Sequence, residues 1–165
     1  MKSTIIIYGS TTGNTSTAAE TLAGKLDGAV VKEVSAATAD DLAKYDNIIL
    51  GTSTWGDGEL QDDWFGFVNT VKDANLAGKT VALFGVGDQF SYSDTYVNGM
   101  GELYNAVKGT GATIVGSTAT DGYSFNESAA VVDGKFVGLA LDYDNQSDLS
   151  EDRIGAWASA IAPQL

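Results

Sequence analysis

Short apolar runs rich in β-branched residues alternate along this chain with stretches of helical periodicity, and that alternation restricts the fold more than any other feature. The runs cover residues 4–8, 29–34, 47–52, 80–86, 112–116 and 135–141. Between them, Ala18, Ala19, Leu22, Ala23 and Leu26 fall at the spacing of a buried helical stripe, as do Ile154, Trp157, Ala158 and Ile161. Further helices are predicted near residues 40–45, 62–71 and 95–108. Continuously apolar strands separated by helices are covered on both faces, so the fold class is α/β with a doubly wound parallel sheet. Ser150, followed by Glu151 and Asp152, reads as the cap and acidic first turn of the last helix. Residues 117–134, rich in Ser, Asp, Gly and Ala, break the alternation. They read as an excursion inserted in the fifth strand, with a small hairpin turning at Asp133-Gly134. No linker is visible, and residues 1–165 are expected to form a single domain.

Composition removes several chemistries. The 165 residues include no Cys and no His, which leaves no disulfide, thiolate nucleophile, iron–sulfur cluster, imidazole metal site or Ser-His-Asp triad. Nine Lys and Arg against 22 Asp and Glu give a formal charge of −13, which repels nucleic acid and favours basic protein partners. No apolar run is long enough to span a bilayer, and no cleavable signal peptide is read after Met1, so a cytoplasmic location is expected. Redox or transfer chemistry on such a chain has to come from a bound group.

In an open parallel sheet, ligands bind at the carboxyl ends of the strands. Three loops there are unusual. Gly9-Ser10-Thr11-Thr12-Gly13-Asn14-Thr15, between the first strand and the first helix, has four hydroxyls, two Gly and no charge. Hydroxyls and N–H groups at a helix N-terminus cradle a phosphate. A plain capping turn would use the same residues. The ending Gly-Lys-Ser/Thr of nucleotide hydrolases is missing, as is the Gly-x-Gly-x-x-Gly of dinucleotide binders. Neutral donors suit a phosphate that is held and never transferred. The second loop, Thr52-Ser53-Thr54-Trp55-Gly56-Asp57-Gly58-Glu59-Leu60, sets an indole between Gly-containing turns, and the third, Gly87-Asp88-Gln89-Phe90-Ser91-Tyr92-Ser93-Asp94, offers a phenol beside polar groups. A phosphate cradle with two aromatic walls fits a flat, phosphate-bearing aromatic ligand.

These stretches, with Asp121-Gly122-Tyr123, Phe136-Val137-Gly138-Leu139-Ala140-Leu141-Asp142 and Asp144-Asn145-Gln146-Ser147-Asp148, resemble the flavodoxins of the long-chain type along essentially the whole chain. The resemblance implies a three-layer α/β/α fold with a five-stranded parallel sheet in flavodoxin-like order and an insertion in the fifth strand. It also implies non-covalent FMN and low-potential one-electron transfer through the semiquinone/hydroquinone couple. Ser10, Thr11, Thr12, Asn14 and Thr15 would hold the phosphate. Trp55 and Tyr92 would flank the isoalloxazine, Asp88 would meet its pyrimidine edge, and Asp144 would lie near the ribityl chain. Ser53, Thr54, Gly56, Asp57 and Gly58 complete the expected cofactor-binding set; no residue is expected to be catalytic or to bind metal. Expected partners are basic redox proteins such as a ferredoxin/flavodoxin-NADP reductase or low-potential oxidoreductases, met by a monomer through a small, transient interface. The alternatives are an FMN-dependent NAD(P)H quinone reductase of the same fold and a flavin-free receiver domain. For the first, basic residues to hold a dinucleotide phosphate are scarce near these loops and no substrate acid/base is apparent; the second lacks acids in residues 10–15.

Two expectations concern redox tuning. The Gly56–Asp57 peptide turns its carbonyl toward the protonated flavin N5, in a type II-like turn that asks for φ > 0 at Asp57. Asp57, Glu59, Asp62, Asp63, Asp88, Asp142, Asp144 and Asp148 oppose a second negative charge on the ring. One carboxylate ~10 Å away at an effective dielectric of ~20 opposes it by ~70 mV before screening. The acidic run from Asp57 to Asp63 is also expected to steer basic partners.

Overall fold

The computed structural model describes residues 2–165. Apolar runs become strands where both faces find cover. In β1 (Thr4–Gly9) every residue is buried. Ile5 and Ile7 point into one apolar cluster while Ile6 and Tyr8 point into the other. The same two-sided division holds in β3 (Asn47–Trp55), where Ile48 and Leu50 oppose Ile49, and in β5 (Thr80–Val86), where Val81 and Leu83 oppose Ala82, Phe84 and Val86. One face packs on α1 (Asn14–Ala23) and α5 (Ser147–Ile161) through Ala18, Leu22, Ile154, Trp157 and Ile161. The other packs on α2 (Ala39–Lys44), α3 (Val68–Asp73) and α4 (Asn98–Val107) through Leu42, Val71, Met100, Leu103 and Val107. Three layers result, as expected from strands apolar on both sides.

With β2 (Val30–Glu33) on the outer edge, the strands pair in parallel, and the spatial order runs β2, β1, β3, β5 and then the split fifth position. That position is filled twice. β6 (Thr113–Val115) pairs Thr80, Val81 and Ala82 of β5, and β10 (Leu139–Leu141) takes over at Phe84, Gly85 and Val86. Residues 116–138 leave and rejoin one strand line. The excursion forms its own antiparallel sheet from β7 (Thr118–Ala119), β8 (Val131–Val132) and β9 (Lys135–Phe136), ordered β7-β9-β8. Its expected hairpin is present: Val132 pairs Lys135, and Asp133 and Gly134 between them have φ of 53° and 79°, the pattern of a type I′ turn.

The structure also corrects the sequence reading. The run 135–141 is two strands in different sheets, and the chain crosses between them at Gly138, where a Cβ would collide with the Leu83 carbonyl. The helix expected over 62–71 is a 3₁₀ turn, Asp62–Gly66, followed by α3. The one expected over 95–108 starts only at Asn98, because Val97 adopts a left-handed φ of 47°. Ser150 caps nothing. Helix α5 begins a turn earlier, at Ser147, so Ser150 lies inside it, buried and with its Oγ unpartnered. β3 extends past Thr52 to Trp55 and folds back onto β4 (Glu59–Leu60), a short antiparallel pairing that periodicity did not indicate. Among the described residues no helix is long and apolar enough to cross a membrane.

One ion pair, Lys32 to Asp41, ties β2 to α2 at 3.0 Å. Asp41 also accepts the Thr38 N–H at 2.9 Å, ahead of the first turn of α2. Burial opposes ionisation of Asp41, but the Thr38 N–H and the Lys32 ammonium outweigh it, and its pKa falls below the ordinary 3.8. A carboxyl lowered in the folded state adds stability above its unfolded pKa and loses it as pH falls through the folded one. Asp41→Asn is therefore expected to cost about 1–2 kcal/mol at pH 7. In urea unfolding the gap to the parent protein should narrow at pH 3; an equal gap at both pH values would contradict this account.

Candidate functional site

The loops after β1, β3, β5 and β10 all open on the carboxyl edge of the sheet, where their strands lie side by side in that order. Adjacency is fixed by register, since Gly9 pairs Thr52 and Ser53 pairs Val86. The first loop delivers Ser10, Thr11, Thr12, Gly13 and Asn14 to the N-terminus of α1. Gly13 stands before the helix with φ of 98°, no side chain caps the helix, and its first turn contains no acid. Ser10 Oγ accepts the Gly13 N–H at 3.1 Å, which closes the loop on itself. Thr15 is 1% exposed, and its Oγ1 has no hydrogen-bond partner. A buried hydroxyl with no partner costs about 1–3 kcal/mol, unless something supplies the missing bond. Beside the open N–H groups of an uncapped helix end, the missing partner suited to these donors is an anion.

Trp55 ends β3 with its indole 39% exposed, and Tyr92 in the loop after β5 is 54% exposed. The indole is held, since Trp55 Nε1 donates to Ser53 Oγ at 2.8 Å. Thr54 accepts the Gly99 N–H on its Oγ1 at 2.9 Å, which anchors the end of β3 to α4. Gly56, Asp57 and Gly58 form the turn into β4. The positive φ falls on Gly56 (53°) and Gly58 (93°), not on Asp57. Gly58 also fits because a Cβ there would lie 2.7 Å from Asn98 Nδ2. Two large rings thus stand exposed after neighbouring strands, a placement that could serve a planar ligand.

The Asp88 carboxylate accepts N–H groups from Phe90 at 3.1 Å and Ser91 at 2.9 Å, and the Asn145 amide at 2.7 Å. Burial raises its pKa, but these donors outweigh burial and leave it below the ordinary 3.8. Asp144 moves the other way, raised by burial and by the neighbouring carboxylates of Asp88 and Asp142. Asp57, Glu59, Asp62 and Asp63 are all exposed close to the turn that follows Trp55.

The edge of the sheet thus collects Ser10, Thr11, Thr12, Asn14, Thr15, Ser53, Thr54, Trp55, Gly56, Asp57, Gly58, Asp88, Tyr92 and Asp144 on four adjoining loops. Ser53 and Thr54 face inward to protein partners, and Thr11 Oγ1 accepts from Gln61 Nε2 at 3.1 Å. Periodicity and loop composition missed the buried amides beneath these loops. Gln61, 2% exposed, joins the first loop to Asp63, and Gln89, wholly buried, joins the third to Asp142. Nothing in the local sequence pattern distinguishes either Gln from a surface amide.

A doubly wound α/β domain with an anion cradle and two exposed rings at its carboxyl edge is the scaffold of a protein that holds a flat, phosphorylated cofactor. The flavodoxin family model matches residues 6–157, and the chain belongs to that family. It is 45% identical to the flavodoxin of Synechocystis sp. over 163 residues, covering 97% of this chain and 96% of that one. It is 44% identical to a flavodoxin of Enterobacter agglomerans, covering 97% of each. The crystal structure of Fusobacterium nucleatum flavodoxin bound to flavin mononucleotide superposes with a TM-score of 0.95 at 32% identity, covering 100% of this chain and 99% of that chain.

Thr15→Val keeps the shape and removes the unpartnered hydroxyl. In urea unfolding of the ligand-free protein, the variant should be more stable by about 1 kcal/mol; a loss of stability would show that Thr15 Oγ1 has a partner within the fold.

Proposed function

We propose that this chain is a cytoplasmic, monomeric one-electron carrier that folds as a single domain, holds FMN non-covalently and shuttles electrons between larger redox proteins. The observation that carries the reading is the buried, unpartnered Thr15 hydroxyl at an uncapped helix N-terminus, on the same edge as two exposed aromatic rings. Family membership and the FMN-bound Fusobacterium nucleatum flavodoxin point to the same ligand.

FMN supplies a ring that takes up and returns electrons one at a time. Ser10, Thr11, Thr12, Asn14 and Thr15 would bind its phosphate through hydroxyls and backbone N–H groups. With no Lys or Arg in residues 9–15, the phosphate is held without being activated for transfer. Trp55 and Tyr92 would cover the ring and exclude water, and Ser53 fixes the indole that does so. Asp88 and Asp144 would bring carboxylates to the ring and ribityl side, and the exposed run Asp57, Glu59, Asp62 and Asp63 extends the negative field outward. This field opposes an electron whose charge stays on the ring and barely opposes one that arrives with a proton, so it would separate two electron steps that differ in protonation. The same acids would guide a basic reductase or acceptor into brief contact.

The turn at Gly56–Asp57, once reversed, would present the Gly56 carbonyl as a hydrogen-bond acceptor to the ring in its reduced form. Its positive φ now lies on Gly56, and the reversed, type II-like turn places it on Asp57. A non-Gly residue meets that conformation at a cost of roughly 1 kcal/mol. At one electron this is about 40 mV. Asp57→Gly is expected to raise the first one-electron midpoint by some tens of millivolts; an unchanged or lower midpoint would rule out the reversal.

Apoprotein incubated with FMN and then freed of unbound flavin should stay yellow and, in a reductive spectral titration, take up electrons in two separated steps. Replacing Asp57, Glu59, Asp62 and Asp63 with their amides should raise the second midpoint and flatten the salt dependence of reduction by a basic reductase. A colourless protein that takes up no FMN would end this reading, and an unmoved second midpoint would reduce the acids to surface charge.

A further inference from the structure

The insertion at residues 116–138 is hydrogen-bonded to the loop that carries Tyr92 on both sides of that residue. Before Tyr92, the Ser124 N–H donates to Gln89 Oε1. After it, the Asn126 and Glu127 N–H groups donate to the Ser93 carbonyl at 2.8 and 3.0 Å, and the Asn126 amide donates to Asp94 at 3.0 Å. Gln89 is the junction. Its side chain is wholly buried, and Nε2 donates to Asp142 Oδ2 at 2.8 Å and to Gln146 Oε1 at 2.9 Å. One carboxamide therefore links the end of β5, the residue after β10, the start of α5 and the insertion, with both its donors and its acceptor engaged.

Its neighbours in sequence bear directly on the candidate site. Asp88 precedes it, and the Tyr92 N–H bonds back to the Asp88 carbonyl at 3.0 Å. Asn145 spans the two acids, donating to Asp88 at 2.7 Å and to Asp142 at 2.9 Å. By contrast the Tyr92 ring is mostly exposed and belongs to neither apolar cluster, so the packed core does not set its orientation. The loop backbone has to set it, and Gln89 is the buried side chain through which that backbone is fixed.

Resting on the FMN reading above, we propose that Gln89 is a positioning residue for the flavin ring: through it the insertion and Asp142 hold the Asp88–Tyr92 loop where the ring is received. The insertion acts on this view as a brace for the cofactor site. A local reading of Gln89 as packing alone would leave the bound ring in its parent environment once the protein is saturated, and this difference is measurable.

The test uses the full chain, stripped of flavin and reloaded. Parent protein that fails to take up FMN would refute the proposed function, before any variant is made. Given parent binding, Gln89→Glu removes both donated hydrogen bonds and sets a carboxylate against that of Asp142. The charged and titratable groups around it are Asp142 and Asp144 after β10, Asp88 on its own loop, Arg153 on α5, Tyr123 in the insertion and Tyr96 ahead of α4. Three of these six are carboxylates against one guanidinium, and the two phenols are uncharged, so the added charge is opposed and a proton on the introduced carboxylate is favoured as pH falls. At pH 8 the FMN Kd should rise at least tenfold, and riboflavin, which lacks the phosphate, should lose the same factor. The visible circular dichroism of the saturated complex should differ from the parent. Toward pH 5 the ratio of variant to parent Kd should fall, as the protonated carboxyl donates to Asp142 again. Gln89→Met, of similar length without donors, should bind more weakly at every pH with no such recovery, and it carries the test if Gln89→Glu does not fold. Parent-like dichroism at saturation in the variants that fold, or a loss confined to FMN and absent with riboflavin, would overturn the proposal.

Discussion

The carboxylate of Asp142 has no solvent exposure, and among the described residues the one ion pair lies elsewhere, between Lys32 and Asp41. A buried charge is tolerated only where hydrogen-bond donors replace its lost hydration. Here the donors are the N–H and side-chain amide of Gln89, the N–H of Asp144, and the N–H and side-chain amide of Asn145. Each comes from a loop at the carboxyl edge, so satisfying one charge fixes the ends of β5 and β10 relative to each other. Asp88, Tyr92 and Asp144 of the candidate site stand on those ends, and Trp55 and Asp57 stand at the end of the neighbouring β3. Loosening this carboxylate would release the loops together, because a partly satisfied buried network is less stable than either a complete one or none.

What the sequence made legible follows from the range of the forces involved. Strands covered on both faces show themselves as continuous apolar runs, and the runs 47–52 and 80–86 lie in β3 and β5, which pair with each other in parallel. The type I′ turn at Asp133-Gly134 was also visible, because its backbone demand falls on two adjacent residues. Gln61 and Gln89 were not visible. Their bonds reach 50 residues to Thr11 and 53 residues to Asp142, and no local pattern encodes such a distance. Ser150 misled for the opposite reason. Ser followed by two acids is a sound capping signal, but the helix began a turn earlier at Ser147, and the hydroxyl was carried into the buried face.

Neutral donors in an acidic chain are a physical arrangement with a consequence. A Lys in the first loop would bind an anion more tightly and would also offset the field of Asp57, Glu59, Asp62 and Asp63 on the same edge. With hydroxyls and an uncapped helix end in its place, an anion can be held by directed bonds of short range while the long-range field stays negative. Affinity for the phosphate end and electrostatic opposition to added charge at the ring end can then be set separately. The insertion contributes through geometry, since residues 124–127 bond to the loop around Tyr92.

Several features at this edge work against the stability of the ligand-free fold. The Thr15 hydroxyl is buried without a partner, two large rings stand in water at Trp55 and Tyr92, and Asp144 is pressed between burial and two carboxylates. Val97, a β-branched residue, holds a left-handed φ at the start of α4, next to the Asn98 that backs Gly58. In most of the rest of the fold, local preference and tertiary packing agree: strands are β-branched, helices carry one apolar face, and turns with positive φ hold Gly or Asp. Ser150, Asn47 and Tyr96 also bury an unpartnered polar atom, but each does so singly. Several conflicts gathered at one edge mark the place where a sequence answers to something other than its own stability. The Thr15 conflict is one that an anion would relieve by supplying a partner, and the exposed rings are ones that a flat ligand would relieve by covering them. Those two properties describe one kind of molecule, and they describe it from the strain it would remove.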